Sequence, residues 1–137
     1  MKVFLDTNVL LDHLAKREGF YADAAIIFSM VNDGLLLGLI SSLSIINCAY
    51  VLPKHYDRHD VMEQIKIMLK MFTVCNVDAS VLEKAVNINP YDFEDAVQYL
   101  SSLPHKPDVI ITRDKRGFRD FDIPVMTPKE FVTKAKE

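Results

Sequence analysis

The sequence predicts a single α/β domain over residues 1–137, with a parallel sheet covered by helices on both faces. Short apolar runs of strand length alternate with longer amphipathic stretches from one end of the chain to the other. The chain is long enough to bury a core, and no linker rich in proline, glycine or serine divides it. Because a parallel sheet needs a crossover between strands, this alternation favours helices on both of its faces.

One strand and two helices are predicted first. Residues 2–5 form a short apolar run that is followed directly by an acid. Thr7 or Asn8 can cap a helix over 7–14, because either side chain can accept a hydrogen bond from a helical amide. Residues 19–31 carry an apolar stripe with helical spacing and end in an Asn-Asp-Gly turn.

The second predicted strand covers residues 35–40 and leads into a helix over 42–52, which a serine caps and a proline stops. That helix is apolar nearly all round, so it is predicted to be buried. Asn47 is its one strongly polar interior residue. A further helix with one apolar face follows over 57–69.

The remaining elements continue the alternation. They are predicted as a strand at 72–77, helices at 79–86 and 92–103, strands at 109–112 and 124–126, and a last helix from 128. Pro128 suits the first position of that helix, with Thr127 as its cap. In the helix over 92–103, a polar side is predicted opposite an apolar side. The polar side comprises Asp92, Asp95, Tyr99 and Ser102, and the apolar side comprises Phe93, Val97 and Leu100.

The composition excludes several classes of protein. No apolar run approaches the roughly 18–20 residues of a membrane span, and Asp6 interrupts any signal peptide, so we expect a cytoplasmic protein without a membrane partner. Cys48 and Cys75 lack metal-ligand spacing and are interpreted as reduced thiols. The net charge of −3 excludes a basic footprint over the whole surface. Any contact with nucleic acid is therefore local, or depends on a metal ion.

Three aspartates fall where a parallel sheet gathers its ligands. Asp6 and Asp114 each follow an apolar strand directly, and open α/β sheets bind ligands at the carboxyl ends of their strands. Asp95 lies in the first turn of a helix and can face the same edge. Carboxylates brought together repel one another, and a hard divalent cation such as Mg²⁺ removes that conflict. A metal-held water could then attack a phosphodiester.

Each acid also has a purely structural interpretation. Asp6 can be a turn or cap acid after a strand. Asp92 and Asp95 stand three residues apart at a helix start, as in a capping arrangement with helix-dipole stabilisation. Asp114 stands among basic residues, so a surface ion pair is the alternative for it. No His or Cys cluster suggests zinc, and no glycine-rich phosphate loop is present.

Four short motifs, in order, resemble those of PIN-domain proteins. They are LDTNVL at 5–10, DFEDA at 92–96, ITRD at 111–114 followed by Phe118, and PVMTP at 124–128 followed by Phe131. The resemblance implies a three-layer α/β/α sandwich around a five-stranded parallel sheet. It also implies a Mg²⁺- or Mn²⁺-dependent endoribonuclease similar to the VapC-type toxins that small antitoxin proteins hold inactive. Many relatives form dimers, so the resemblance implies a homodimer as well.

Carried over by motif, Asp6, Asp95 and Asp114 are the metal-binding and catalytic acids. Thr7, Asn8 and Thr112 are their supporting polar residues. The family usually places a glutamate on the helix after the second strand, and this chain has Asn47 there. Its amide oxygen can ligate a cation but carries no charge, or it can be a buried asparagine bonded to backbone. Glu94 is a possible substitute acid, with a solvated surface position as its alternative.

A basic run beside Asp114 is the candidate RNA-binding surface. It comprises Arg113, Lys115, Arg116 and Arg119, and a second basic group comprises Lys54, His55, Arg58 and His59. Contacts from such residues to phosphates would position an RNA strand over the metal. The ordinary alternative for both groups is a solvated surface.

Three functional hypotheses follow from the sequence. The first is a metal-dependent ribonuclease, the toxin of a toxin–antitoxin pair. The second is a catalytically weak or inactive PIN-like domain that binds RNA or a protein partner, with Asn47 as the mark of decay. The third is a phosphotransfer domain, for which the second aspartate of a D-x-D motif is missing at Asn8.

Overall fold

The computed structural model describes residues 1–137 and contains five strands and seven α-helices. The strands are β1 (Lys2–Leu5), β2 (Leu37–Ser41), β3 (Thr73–Cys75), β4 (Val109–Ile111) and β5 (Val125–Met126). The helices are α1 (Thr7–Leu14), α2 (Tyr21–Asn32), α3 (Ser42–Val51), α4 (Arg58–Met71), α5 (Ala79–Asn87), α6 (Phe93–Ser102) and α7 (Pro128–Ala135). Short 3₁₀ helices cover Leu52–Lys54, Leu103–His105 and Lys115–Phe118. None of the helices combines the length and apolar character that crossing a bilayer requires.

The strands form one sheet in the order β3-β2-β1-β4-β5, and every neighbouring pair is parallel. The central strand β1 alternates its side chains between two apolar layers. Val3 and Leu5 belong to the larger layer, which includes side chains of α1, α2, α4 and α7. Phe4 faces the other way and packs with Ile110, Phe118 and part of α6. The predicted three-layer α/β/α sandwich with five parallel strands is therefore confirmed.

Two element starts differ from the prediction because pairing and backbone conformation limit them. β2 begins at Leu37, later than predicted, since Leu37 is the residue that pairs with Lys2 at the start of β1. α2 begins at Tyr21 because Gly19 adopts a φ of 85°, a left-handed conformation that a helix does not admit. β3 is likewise shorter than the predicted 72–77.

The prediction that α3 is buried on all sides is wrong. Ser44 and Cys48 are fully buried, whereas Ile46 is 66% exposed and Tyr50 is 78% exposed. One side of α3 packs into the sandwich, and the opposite side meets solvent because no other element of this chain covers it. The helix therefore presents an apolar surface of its own.

The predicted polar side of α6 is wrong in part. Ser102 is buried and Phe93 is 48% exposed, because α6 turns its small polar residues towards the sheet and α5. Burial of these two serines costs little, because the hydroxyls of Ser101 and Ser102 donate to carbonyl oxygens of their own helix, at 2.8 Å and 2.6 Å. Gln98 is also completely buried on this packed side.

Candidate active site

A cleft of about 340 Å³ opens at the carboxyl edge of the sheet, where β1 and β4 end beside the start of α6. Its lining residues are Asp6, Thr7, Asn8, Leu11, Arg17, Asp92, Glu94, Asp95 and Asp114. The three predicted acids thus come from three distant parts of the chain to line one cleft, as the topology of a parallel sheet requires. Asp92 and Glu94 bring the number of carboxylates to five.

Asp6 lies at the floor of the cleft and is only 6% exposed. Its Oδ1 accepts hydrogen bonds from the Thr7 amide at 2.6 Å and from Gln98 Nε2 at 2.9 Å. Its Oδ2 accepts from Thr112 Oγ1 at 2.8 Å and from Asn8 Nδ2 at 3.4 Å. Burial raises the pKa of Asp6, while the hydrogen bonds from Gln98, Thr112 and Thr7 oppose that rise. Asp6, rather than Thr7 or Asn8, is the N-cap of α1, so it is both a cap and a cleft acid.

Two of the three predicted supporting residues, Thr112 and Asn8, connect Asp6 to the end of β4 through their side chains. Thr112 is fully buried beneath Asp6, and its hydroxyl also contacts the amide of Asp114 at 3.2 Å. Asn8 accepts a hydrogen bond from the Arg113 amide at 3.3 Å, which ties α1 to the segment after β4. Thr7 does not bond to Asp6 through its side chain, since its hydroxyl lies 2.7 Å from Ser44 Oγ.

Asp95 is half-buried in the first turn of α6, and the carboxylate of Asp92 caps its amide at 2.9 Å. The pKa of Asp95 is raised to about 8, first by burial and then by repulsion from the other four cleft acids. The carboxylate lies against Gly117 so closely that a β-carbon at that position would overlap it. The absence of a side chain at Gly117 therefore leaves space for the Asp95 carboxylate. Asp92 caps α6, as expected, and it also lines the cleft.

Asp114 lies at the rim of the cleft and is committed to an ion pair. Arg116 donates to its two carboxylate oxygens at 2.9 Å and 2.7 Å, which lowers the pKa of Asp114 to about 2. Asp114 also caps the short 3₁₀ helix that follows it. The surface ion pair that was the alternative interpretation of Asp114 is therefore present. In this pair, both carboxylate oxygens of a cleft acid are bound to Arg116.

Asn47 and Glu94 contact one another at the outer side of the cleft. Asn47 Nδ2 donates to Glu94 Oε1 at 3.2 Å. Glu94 is exposed as a residue, but it lines the cleft. Partial burial of its carboxyl there, together with repulsion from Asp6 and Asp92, raises its pKa. Asn47 is not among the lining residues. The acid that the resemblance to PIN-domain proteins implies on α3 is absent, and a carboxylate from α6 lies beside the asparagine instead.

The donor set of the cleft suits a hard divalent cation, because it consists of carboxylate and amide oxygens with an excess of negative charge. Burial is the main cause of the raised pKa of Asp95, and repulsion from the other cleft acids adds to it; a bound cation would relieve that repulsion. No three His, Cys, Asp or Glu side chains of the protein approach closely enough to form a ready-made metal cage. The cleft residues therefore fit a divalent cation. To bind one, Asp114 would have to give up its ion pair with Arg116.

The four basic residues beside Asp114 that were proposed to bind RNA all have partners within the protein. Arg113 pairs with buried Asp12 at 2.7 Å and stacks over a phenylalanine ring at 4.1 Å. Lys115 Nζ lies 3.0 Å from a carboxylate oxygen of Glu130. Arg116 pairs with Asp114, and Arg119 lies 4.5 Å from the centre of a tyrosine ring. An RNA phosphate would therefore compete with existing contacts at each of these residues.

Two functional features escaped the sequence interpretation. Gln98, a donor to Asp6, lies three residues after Asp95, and this spacing was the only signal that it could share the cleft-facing side of α6. Arg17 lines the cleft and lies 3.7 Å from Asp12. Its position after α1 gave no sign of that role.

Comparison with known proteins gives one family and a set of structural relatives. A family model described as PIN domain matches residues 2–116. No curated protein matches the chain. VapC20 from Mycobacterium tuberculosis, a sarcin-ricin loop cleaving toxin, superposes with a TM-score of 0.69 at 14% identity, covering 86% of this chain and 94% of the other.

Two further solved structures are similar. DNA-bound VapBC from Salmonella typhimurium has a TM-score of 0.68 at 17% identity, covering 93% of this chain and 98% of the other. PAE2754 from Pyrobaculum aerophilum has a TM-score of 0.64 at 18% identity, covering 100% and 91%. At such low identities these likenesses establish the fold alone.

Proposed function

Because this chain belongs to the PIN-domain family, we propose that it is a metal-dependent endoribonuclease that hydrolyses RNA phosphodiester bonds, the toxin of a toxin–antitoxin pair. The observation that carries the proposal is the single cleft lined by Asp6, Asp95 and Asp114. Their positions after β1, at the start of α6 and after β4 agree with the acids inferred from the PIN motifs.

Asp6, Asp95 and Asp114 would hold a Mg²⁺ or Mn²⁺ ion, with Glu94 as a further candidate ligand that lines the cleft. The amide oxygen of Asn47 would join them only if its side chain turned from Glu94 into the cleft. The ion would supply positive charge that offsets the carboxylates and polarises both a water molecule and the scissile phosphate. Thr112, Gln98 and the Thr7 amide keep the Asp6 carboxylate in one orientation. Asp95 holds a proton near neutral pH and would release it when a cation binds.

The basic residues at the rim would position the RNA. Arg116 and Lys115 are exposed beside Asp114, and each can exchange its internal carboxylate partner for a phosphate. Arg113 is less available, because its partner Asp12 is completely buried. We propose Arg116 as the main RNA contact of the four, with the cytoplasm as the place where the protein meets its substrate.

A small antitoxin is the proposed protein partner. One solved structure with a similar fold is a toxin–antitoxin complex from Klebsiella pneumoniae, and another is DNA-bound VapBC from Salmonella typhimurium. The exposed side of α3, with Ile46 and Tyr50, offers apolar area close to the cleft that an antitoxin or a second copy of the chain could bury. An extended or helical antitoxin segment laid across the acidic edge would block the cleft.

The alternative function is a catalytically inactive PIN-like domain that binds RNA or a protein. It is favoured by Asn47 in place of the usual glutamate and by the Asp114–Arg116 ion pair. Cleavage of structured RNA by the purified protein with Mn²⁺, measured beside Asp6→Ala, separates the two. Metal-dependent cutting that disappears in the variant supports the nuclease. No cutting by folded, partner-free protein across several RNAs supports the inactive domain, and equal cutting by both proteins points to contamination or to a site elsewhere.

A further inference from the structure

A chain of buried polar side chains lies beneath the acidic cleft and ends at Asp6. Thr7 Oγ1 is 2.7 Å from Ser44 Oγ, Ser44 Oγ donates to Gln98 Oε1 at 3.4 Å, and Gln98 Nε2 donates to Asp6 Oδ1 at 2.9 Å. Ser44 and Gln98 are both 0% exposed. The chain thus connects α1, α3 and α6 to the carboxylate at the end of β1.

The direction of these hydrogen bonds follows from their end point. A charged Asp6 carboxylate only accepts, so the Gln98 amide must turn its nitrogen towards Asp6 and its oxygen towards Ser44. The single hydroxyl proton of Ser44 is then used on Gln98 Oε1, and Thr7 must donate to Ser44. Each hydrogen bond of the chain is therefore donated in the direction of Asp6. If the Gln98 amide were reversed, its Oε1 would lie against Oδ1 of Asp6, and the two oxygens would repel each other.

Gln98 also determines which oxygen of Asp6 remains available. A carboxylate oxygen has two lone-pair directions. On Oδ1 both are taken, by the Thr7 amide and by Gln98 Nε2. On Oδ2 one is taken by Thr112 at 2.8 Å, and the other meets only the longer contact from Asn8 at 3.4 Å. Oδ2 is therefore the atom from which Asp6 can bind a further group.

A completely buried glutamine is costly unless both ends of its amide are satisfied, and an apolar side chain would fill the same space without that requirement. Here the nitrogen end makes its short hydrogen bond to a cleft acid rather than to the backbone. We propose that Gln98 is a positioning residue for the cation site. It fixes the Asp6 carboxylate so that Oδ2 alone faces a bound divalent ion, and Ser44 holds Gln98 in that orientation. This inference rests on the proposed function.

The test is Mn²⁺ binding by calorimetry to wild type, Gln98→Met and Gln64→Met, with thermal unfolding of the metal-free proteins as the measure of folding. Gln98→Met keeps the length of the side chain but removes its donor. Gln64→Met makes the same chemical change at a half-buried position of α4 away from the cleft. Loss of a residue that orients a metal ligand typically costs about 10–100-fold in metal affinity. We expect Gln98→Met to bind Mn²⁺ at least about tenfold more weakly, and Gln64→Met to match wild type.

A folded Gln98→Met with wild-type Mn²⁺ affinity would overturn the inference while leaving the proposed function in place. Absence of Mn²⁺ binding by wild type would overturn both. If Gln98→Met does not fold, Ser44→Ala replaces it, because this change frees the Gln98 amide without removing it. We then expect a smaller loss of affinity, and an unchanged affinity in Ser44→Ala would count against the inference.

Discussion

Nε of Arg113 lies 2.7 Å from Oδ2 of Asp12, a residue of α1 whose carboxylate is completely buried. Burial raises the pKa of Asp12, and the charges of Arg113 and Arg17 oppose that rise. Arg113 lies between Thr112, which donates to Asp6, and Asp114, which lines the cleft, so the ion pair fixes the segment that carries both. A residue that was predicted to bind RNA is therefore placed to hold the site together.

The first prediction concerns this ion pair. Arg113→Ala leaves the charge of Asp12 buried with only Arg17 nearby, and such uncompensated charges cost about 3–5 kcal/mol. Because Arg17 remains at 3.7 Å, we expect the free energy of unfolding to fall by about 2–3 kcal/mol, measured by urea denaturation. Arg58→Ala, at an exposed position of α4, is the control. Equal losses in the two variants would mean that the buried pair contributes nothing specific.

The second prediction concerns the pair at the rim. Arg116→Ala removes the guanidinium that binds both carboxylate oxygens of Asp114. We expect tighter Mn²⁺ binding, because Asp114 no longer exchanges a partner for the ion. We also expect weaker RNA binding and a salt dependence of binding reduced by about one unit of slope. Filter binding over a range of salt measures the second effect, and an unchanged slope would remove Arg116 from the RNA surface.

The third prediction is a dependence of stability on pH to which Asp95 contributes. Its folded pKa of about 8 exceeds the ordinary value of 3.8, so between these values the folded state binds a proton that the unfolded state has lost. Stability therefore falls as pH rises from about 4 to about 8, and then levels off. Asp95→Asn removes this penalty. We expect its Tm to exceed that of wild type by several degrees above about pH 8, with the gap closing towards about pH 4.

Asp120→Asn provides the control for that measurement, because Asp120 is exposed and does not line the cleft. Asp6 and Glu94 also have raised pKa values, so wild type and Asp95→Asn share part of the slope. The informative quantity is the difference between their Tm values at each pH. A difference that stays constant with pH would contradict the raised pKa of Asp95.

The sequence predicted the fold well because the periodicity of its apolar residues carries the necessary information. Strands of two to five residues alternate with helices, and a parallel sheet is the arrangement in which each of these strands can pair with a neighbour. The exposure of Ile46 and Tyr50 on α3 could not be predicted, since apolar residues on every side of a helix are equally expected for a buried helix and for a partner-binding one.

The candidate site was predictable to the extent that its residues follow strands or belong to recognised motifs. The positions of Asp6 and Asp114 could be predicted because each follows an apolar strand, β1 or β4, at the edge where a parallel sheet binds ligands. Gln98 was not, because a glutamine on a helix is ordinarily exposed and only its contact with Asp6 reveals a role. The partner of Arg113 was equally hidden, since Asp12 lies far away in sequence and the fold alone brings the two together.

The fourth prediction tests the space that Gly117 leaves for Asp95. A β-carbon at position 117 would overlap the Asp95 carboxylate, so Gly117→Ala must displace it. We expect Mn²⁺ affinity to fall on the order of tenfold, as when a metal ligand loses its orientation. The same substitution in an Asp95→Ala background should have no further effect on Mn²⁺ binding. A full additional loss in that background would show that Gly117 acts through another contact.

The last prediction concerns Asn47, whose amide donates to Glu94 at 3.2 Å. Asn47→Glu replaces that hydrogen bond with a second carboxylate beside Glu94, so the metal-free protein should lose stability. The same added charge should tighten Mn²⁺ binding and raise RNA cleavage, because it restores an acid where the family carries one. Asn47→Gln has the length of glutamate without its charge, and is the matched control. Equal Mn²⁺ binding and equal RNA cleavage by Asn47→Glu and Asn47→Gln would contradict this prediction. The missing charge on α3 would then not limit metal affinity, because Glu94 already supplies the carboxylate.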